Sequence, residues 1–325
     1  MRSALIFLAA GMLSAQQTPI SGPVEGITFD LPTLSLRPVI GSLGSASLGN
    51  PILRGISYAS AAPQQNYALT FENEHCSLIL GLGSPQTSTV RVPGMFPLPE
   101  GVVWSSDGST AVLFSRTGSW IQILSGLPSA IHQGPSVSGA LLGGTLSAVA
   151  IDSRGAQIVI GIVAENAGIY QIANGTNLVP LLSFAKPITL GFSEDDGTLY
   201  GVDAATNQVF ALAMANLTSQ SWPLNGLVNP VAIRPAHDAQ NRSVVYVAGG
   251  SDHLLVAYDS STHQVLASVP LSFQPNVIQP LGMSTFLLAP RTSPDDILWS
   301  FRNTPQPTVY FVPAPPLQSR ESTRK

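Results

Sequence analysis

Charge is scarce in this chain: Asp, Glu, Lys and Arg make up 10% of its 325 residues, and lysine occurs only at Lys186 and Lys325. With a formal net charge of −4, no basic surface exists to neutralise a row of phosphates, which excludes nucleic acid as a partner. Cysteine occurs once, at Cys76, so no internal disulfide can form, and a small apolar residue in an apolar run is most simply core. Also missing is any long stretch with apolar residues at i, i+3, i+4 and i+7. Helices should therefore be nearly absent. The five histidines, His75, His132, His237, His253 and His263, are scattered without a zinc-like spacing to cysteine, and each reads as a surface residue.

What is abundant points the other way. Hydrophobic residues are 44% of the chain, with 29 glycines and 27 prolines, a balance typical of many short strands joined by tight turns and opposite to that of a disordered chain.

The start of the chain reads as a targeting segment. Met1 and Arg2 supply a short positive region, residues 4–13 an apolar run, and Ala15 a small residue at the cut position. Such a pattern is a secretory signal, with cleavage expected after Ala15. The run is about half of the roughly 20 residues that a membrane-spanning helix requires, so no span should remain after cleavage. No cysteine follows it to serve as a lipoprotein acceptor. The expected location is the periplasm or the extracellular space, and export with a lone cysteine suggests a bacterial protein.

Downstream, one unit recurs: an apolar strand, a turn carrying Asp or Gly, a second apolar strand, then two more strands about a short polar turn. The best copy spans residues 101–126, where GVVWS leads through SSDGST to AVLFS and SWIQILSG. Taking the first strand of each copy at Ile56, Val102, Ala148, Leu190, Val231 and Val277 gives spacings of 46, 46, 42, 41 and 46 residues. This is the period of a propeller blade. A closed ring also explains why neither end looks like a polar cap, since closure removes the ends. Asp107 with Gly108 and Asp196 with Gly197 suit the tight turn between the first two strands, Gly accepting positive φ and Asp bonding the turn backbone.

Residues 27–41 (ITFDLPTLSLRPVIG) are left over as two strands about a turn at Leu31–Thr33. They match the outer half of a blade and lack an inner half. The expectation is an all-β, seven-bladed propeller of four-stranded antiparallel blades with an incomplete N-terminal blade; the alternative is six blades with the hairpin laid on an edge. The expected organisation is a signal peptide (1–15), a linker (16–26), the propeller (27–314) and a disordered, proline-rich then basic tail (315–325).

The copy PEGVVWSSDGSTAVLFS resembles the repeat of NHL and YVTN propellers, which are WD40-like, and FSEDDGTLYGVDAATNQVFAL is the closest match to that pattern. The likeness covers almost the whole mature chain as a period, while its strict letters occur in two or three copies. It speaks for the fold and leaves function open, since such rings bind proteins, glycans and small molecules or host enzymes.

One likeness carries chemistry. PEGVVW resembles the motif that opens a blade in calcium-dependent lactonase propellers, and that likeness implies Glu100 as a metal ligand in the central channel. Ca²⁺ takes about six to eight oxygens, so one carboxylate cannot suffice. Asp152, Asp203 and Asn229, near strand ends of other blades, are the further candidates, although their positions depart from that family's spacing. Nucleophilic catalysis finds no support in the motifs: GSLGSASLG at Gly41 lies between strands and opens no helix, so it is neither a nucleophile elbow nor a phosphate cradle. Trp104, Trp120, Trp222 and Trp299 fall near strand ends, where packing between blades explains them. Asn174, Asn216 and Asn241 begin glycosylation sequons, which matter only in a host with that machinery. The sequence thus reads as an exported binding or scaffold module for a protein, glycan or small molecule, without a cofactor and without an assigned catalytic residue. The alternative is a metal-dependent, lactonase-like hydrolase.

Overall fold

The computed structural model describes residues 22–314 apart from 85, 164–166, 225, 239, 283 and 305. The signal segment (1–15) and the tail (315–325) lie outside the described residues.

Among the described residues, twenty-eight short strands assemble into seven antiparallel sheets, each of four strands, arranged as the blades of a ring. Blade 1 holds Val24–Asp30, Ser35–Ile40, Ser47–Leu48 and Leu53–Arg54. Blades 2 to 7 then open with Tyr58–Ala61, Gly101–Trp104, Thr145–Ile151, Pro187–Phe192, Pro230–His237 and Gln279–Pro280. They close with Ser88–Arg91, His132–Ser138, Asn177–Ser183, Ser219–Pro223, Val265–Pro270 and Thr308–Val312. Each runs first to fourth strand in chain order, so every neighbour is joined by a hairpin. The helical elements among the described residues are the single turns Leu31–Thr33 and Gly139–Leu142.

The two middle strands of a blade are buried on both faces because each blade is sandwiched between two others. Tyr67–Glu72, Ile158–Val163 and Ser243–Gly249 therefore read as near-continuous apolar runs. Outer strands such as Ser88–Arg91 face solvent and are polar. Seven apolar clusters fill the seven seams, from Tyr67, Phe71, Leu78 and Leu113 between blades 2 and 3 round to Val39, Leu281, Leu298 and Val312 between blades 7 and 1. Each fully buried Leu or Phe contributes about 1.5–3 kcal/mol. Cys76 sits in the first of these clusters, fully buried. The tryptophans pack as expected: Trp222 is buried, Trp104 packs edge-on against Tyr67 and donates across the seam to Ser60 at 2.9 Å, and Trp299 stacks on Phe273.

The first turns of blades 2 to 5 repeat one hydrogen-bond pattern. In blade 3, Gly108 N donates to Ser105 O (2.9 Å) and Ser105 N to Thr110 O (2.9 Å); Asp152, Gly155 and Gln157 repeat this in blade 4, as do Ser193, Asp196 and Thr198 in blade 5. The fourth residue has positive φ, +75° at Gly108, where an added Cβ would also strike the Tyr67 hydroxyl at 2.3 Å. In blade 5 this position is held by Asp196 (φ 59°), so the expected equivalence of Asp196 with Asp107 shifts by one residue. Asp195 does what Asp107 does, accepting from Ser193 Oγ at 2.6 Å and Gly197 N at 3.1 Å. Two sequon asparagines, Asn174 (φ 48°) and Asn241 (φ 59°), also occupy left-handed turn positions.

Blade 1 departs from the others. Its two last strands, Ser47–Leu48 and Leu53–Arg54, both pair with Ser35–Ile40, so four strands span only three positions. The positive-φ residue of a first turn touches the start of the second strand in the preceding blade, as Gly108 meets Tyr67 and Gly155 meets Thr110. By that rule Ile27, whose N–H donates to Gln65 Oε1 at 2.6 Å, starts a second strand. The innermost position of blade 1 is thus unfilled among the described residues, and the hairpin read as the outer half of a blade supplies its second and third strands instead. The hairpin docks between blades 7 and 2 and closes a seven-bladed ring, which excludes the six-bladed arrangement. Its first strand begins at Val24, inside the segment read as linker.

Candidate functional site

First turns lie on one face of the ring, and polar contacts between them link the blades. Gln64 Nε2 donates to Ser106 O (2.8 Å), Asp107 N to Ser153 O (3.1 Å) and Ser153 N to Asp196 Oδ1 (2.7 Å). Between blades 5 and 6 the link changes character. Glu194 accepts with both oxygens from His237: Oε1 from its backbone N–H at 3.0 Å and Oε2 from ring Nδ1 at 2.6 Å. The other ring nitrogen, Nε2, lies 3.0 Å from Ser243 Oγ. His237 and Ser243 face each other across the first two strands of blade 6, and Asn303 of blade 7 donates to His237 O. Two blades thus contact the imidazole and a third fixes its backbone.

Glu194, His237 and Ser243 border a cavity of about 270 Å³ at the seam, which Asp195, Tyr200 and Ser260 also line. Hydrogen bonds from Ser193 and Gly197 hold the Asp195 carboxyl below the usual range, against a smaller opposing effect of burial, and His237 adds to the lowering. Burial raises the Tyr200 phenol, so its hydroxyl stays protonated. The cavity is open, since the His237 and Glu194 side chains are 31% and 49% exposed. Carboxylates, an imidazole and hydroxyls thus converge on one concave patch.

The four residues named as metal candidates are placed differently. Glu100 accepts from Ser115 Oγ (2.9 Å), Thr117 N (2.9 Å) and Arg116 N (3.1 Å), fixing a turn of its own blade. Burial works to raise its carboxyl, but these donors outweigh it and hold the group at about 2. Asp152 accepts from Ala156 N at 2.7 Å; Asp203 accepts from Lys186 N at 2.9 Å and Ala205 N at 3.1 Å. Asn229 donates to Ser251 Oγ at 2.6 Å. Each is engaged in its own blade, and Asp152 stands at a first turn, on the opposite face from the other three. Among the described residues, no group of three or more His, Cys, Asp and Glu side chains could hold a metal ion.

Glu194, His237 and Ser243 belong to no local motif. His237 read as one more scattered surface histidine. The usable signal was spacing: Glu194 and His237 are 43 residues apart, close to one blade period, so the first turn of one blade meets the end of the next blade's first strand.

No protein-family model matches the chain, and no curated protein matches it in sequence. Solved propeller structures do. A structure described as streptogramin B lyase is similar over 79% of this chain and 84% of its own, with 9% identity and a TM-score of 0.54. Hsv2 of Kluyvelomyces marxianus is similar over 87% of this chain and 93% of its own, with 13% identity and a TM-score of 0.57. At such identities the likeness establishes the β-propeller fold alone.

Proposed function

We propose that this propeller is an exported binding module whose ligand site is the cleft between blades 5 and 6, and that its ligand is a small hydroxylated molecule or one sugar unit of a glycan. The observation that carries the reading is the convergence of Glu194, Asp195, Tyr200, His237, Ser243 and Ser260 around one open cavity. Polyol hydroxyls both donate and accept, so they satisfy carboxylates and hydroxyls together, whereas an apolar ligand would leave those groups desolvated and unpaired. The cavity lies near the roughly 300 Å³ lower bound of small-molecule sites, which suits one ring better than a long chain. Export is supported by the pattern of Met1, Arg2, the apolar run and Ala15.

Titration calorimetry of the mature protein against a panel of neutral mono- and disaccharides and polyols tests the site. Saturable binding is expected for at least one member and should be lost in Glu194→Ala. If every panel member gives the same heats with the parent and with this variant, the cleft is not the ligand site. N-terminal sequencing of the protein from an envelope or culture fraction should begin at Gln16; intact Met1 in the cytoplasm would refute export.

A further inference from the structure

In the same cleft we infer that Ser243 is a nucleophile for acyl transfer, with His237 as its general base and Glu194 as the group that orients the base. This inference rests on the cleft being the ligand site. Its substrate class is an ester whose alcohol portion is a hydroxylated small molecule.

The geometry assigns the roles. Glu194 takes both the backbone N–H and the Nδ1–H of His237, at 3.0 and 2.6 Å, which fixes the tautomer and leaves Nε2 as a bare acceptor. Ser243 Oγ lies 3.0 Å from that nitrogen, within reach for its proton to be taken. The imidazole is held by Glu194 of the preceding blade on Nδ1, and the backbone that carries it is fixed by strand pairing with Ser243 and by Asn303 of the following blade on the His237 carbonyl. A nucleophile, a base and an orienting carboxylate bonded in series constitute the arrangement that activates a serine, whatever fold carries it. The polar ties Gln64 to Ser106 and Ser153 to Asp196, by contrast, contain no imidazole and serve only to join blades. The Ser243 hydroxyl borders an open cavity, so an ester carbonyl can reach it.

The step balances without a cofactor. Ser243 Oγ forms a bond to the ester carbonyl carbon as its proton passes to His237 Nε2. The tetrahedral adduct collapses, the ester C–O bond breaks, and the departing alcohol oxygen takes that proton. A water molecule then loses a proton to the same nitrogen and attacks the acyl carbon. The acyl–Oγ bond breaks, Ser243 recovers its proton, and a carboxylic acid leaves.

The test uses the whole mature protein and a fluorophosphonate probe, read by intact mass and peptide mapping, with p-nitrophenyl acetate hydrolysis alongside. One adduct is expected, on Ser243. The labelling rate should fall about 100-fold in His237→Gln and measurably in Glu194→Gln, while both variants keep the parent's circular dichroism. Ser243→Ala should abolish the adduct and keep the parent's circular dichroism. No adduct, an adduct spread over surface serines, or an unchanged rate in folded His237→Gln would each overturn the inference. The two readings fail separately: polyol binding without labelling removes only the nucleophile, and labelling without polyol binding removes only the proposed ligand class.

Discussion

Ring closure should depend on Asp30. In this carboxylate, Oδ1 accepts from Arg291 Nη1 at 2.7 Å and Oδ2 lies 3.2 Å from Arg37 Nε. The two residues of the first contact are 261 positions apart and join blade 7 to blade 1. The side chains of Asp30 and Arg291 are 1% and 3% exposed. Thr33 Oγ1 adds a 2.5 Å bond, and Arg291 is further fixed on Pro294 O and Asp296 O, each at 2.7 Å. Both guanidiniums are thus buried against one carboxylate. Desolvation lowers the Arg37 pKa, and the charge of Asp30 pulls it back up.

Asp30→Ala removes the single anion and leaves two enclosed cations. Breaking a buried pair in this way costs about 3–5 kcal/mol, because the unpaired charge stays desolvated. An unfolding entropy of about 2.1 cal/mol/K per residue gives roughly 0.6 kcal/mol/K for a ring of this size, so the melting temperature should fall by about 5–8 °C. Differential scanning calorimetry measures it, and Arg242→Ala supplies the contrast. Arg242 pairs with Asp238 at 2.8 Å but is 44% exposed, and Asp238 keeps two backbone donors, so about 1 kcal/mol or less is expected there. If Asp30→Ala melts within about 1 °C of the parent, or no lower than Arg242→Ala, the reasoning about closure is wrong.

Three further outcomes follow from other sites. Gly26→Ala should destabilise by roughly 1–3 kcal/mol, since its Cβ would lie 1.6 Å from Leu281 O at the closing seam, whereas Gly55→Ala, with nothing within 4 Å, should cost only the positive-φ penalty of about 1 kcal/mol; thermal melts of the pair decide it. Burial pushes the Cys76 thiol up to about 12, so Ellman's reagent should react only in denaturant, and rapid reaction of the native protein would show that the seam between blades 2 and 3 opens. Hydrogen bonds from Ser261 and Thr262 hold Asp259 at about 2, below its unfolded value of about 4, so its stabilisation is complete above about pH 4 and is lost as pH falls through about 2. Urea midpoints measured from pH 6 to 2.5 should decline at the acid end, and Asp259→Asn should flatten that decline.

How much of this was legible in the residues depended on whether a feature repeats. The blade period, the apolar second strands and the turn after Ser105 recur, so each copy corroborates the others, and the unmatched hairpin stood out as a remainder. Packing on both faces writes itself into Tyr67–Glu72 or Ser243–Gly249 as unbroken apolar runs. The shift from Asp196 to Asp195 was hidden because two adjacent aspartates satisfy the same pattern, and only backbone φ separates them. Glu100 drew attention because a motif surrounds it, yet backbone donors of its own turn explain that carboxylate in full. The missing inner strand was legible as an absence, but the closing partner was not: nothing in the letters around Arg291 says that it reaches a residue 261 positions away.

The relay was illegible for a physical reason that repeat proteins share. Glu194, His237 and Ser243 belong to no local motif, because their proximity is created by stacking two blades rather than by a turn of the chain. A ring of near-identical units places residue i beside residue i plus one period at every seam, so a single polar substitution in each of two neighbouring copies suffices to build a cross-blade pair. The consensus turn needs a residue such as Ser105 or Ser193, an acceptor such as Asp107 or Asp195, and a residue able to take positive φ. It does not need Glu194 between them, nor an imidazole at the end of the next blade's first strand. Residues that the repeat does not require, aligned one period apart and meeting at a cavity, are where chemistry specific to this ring should be sought.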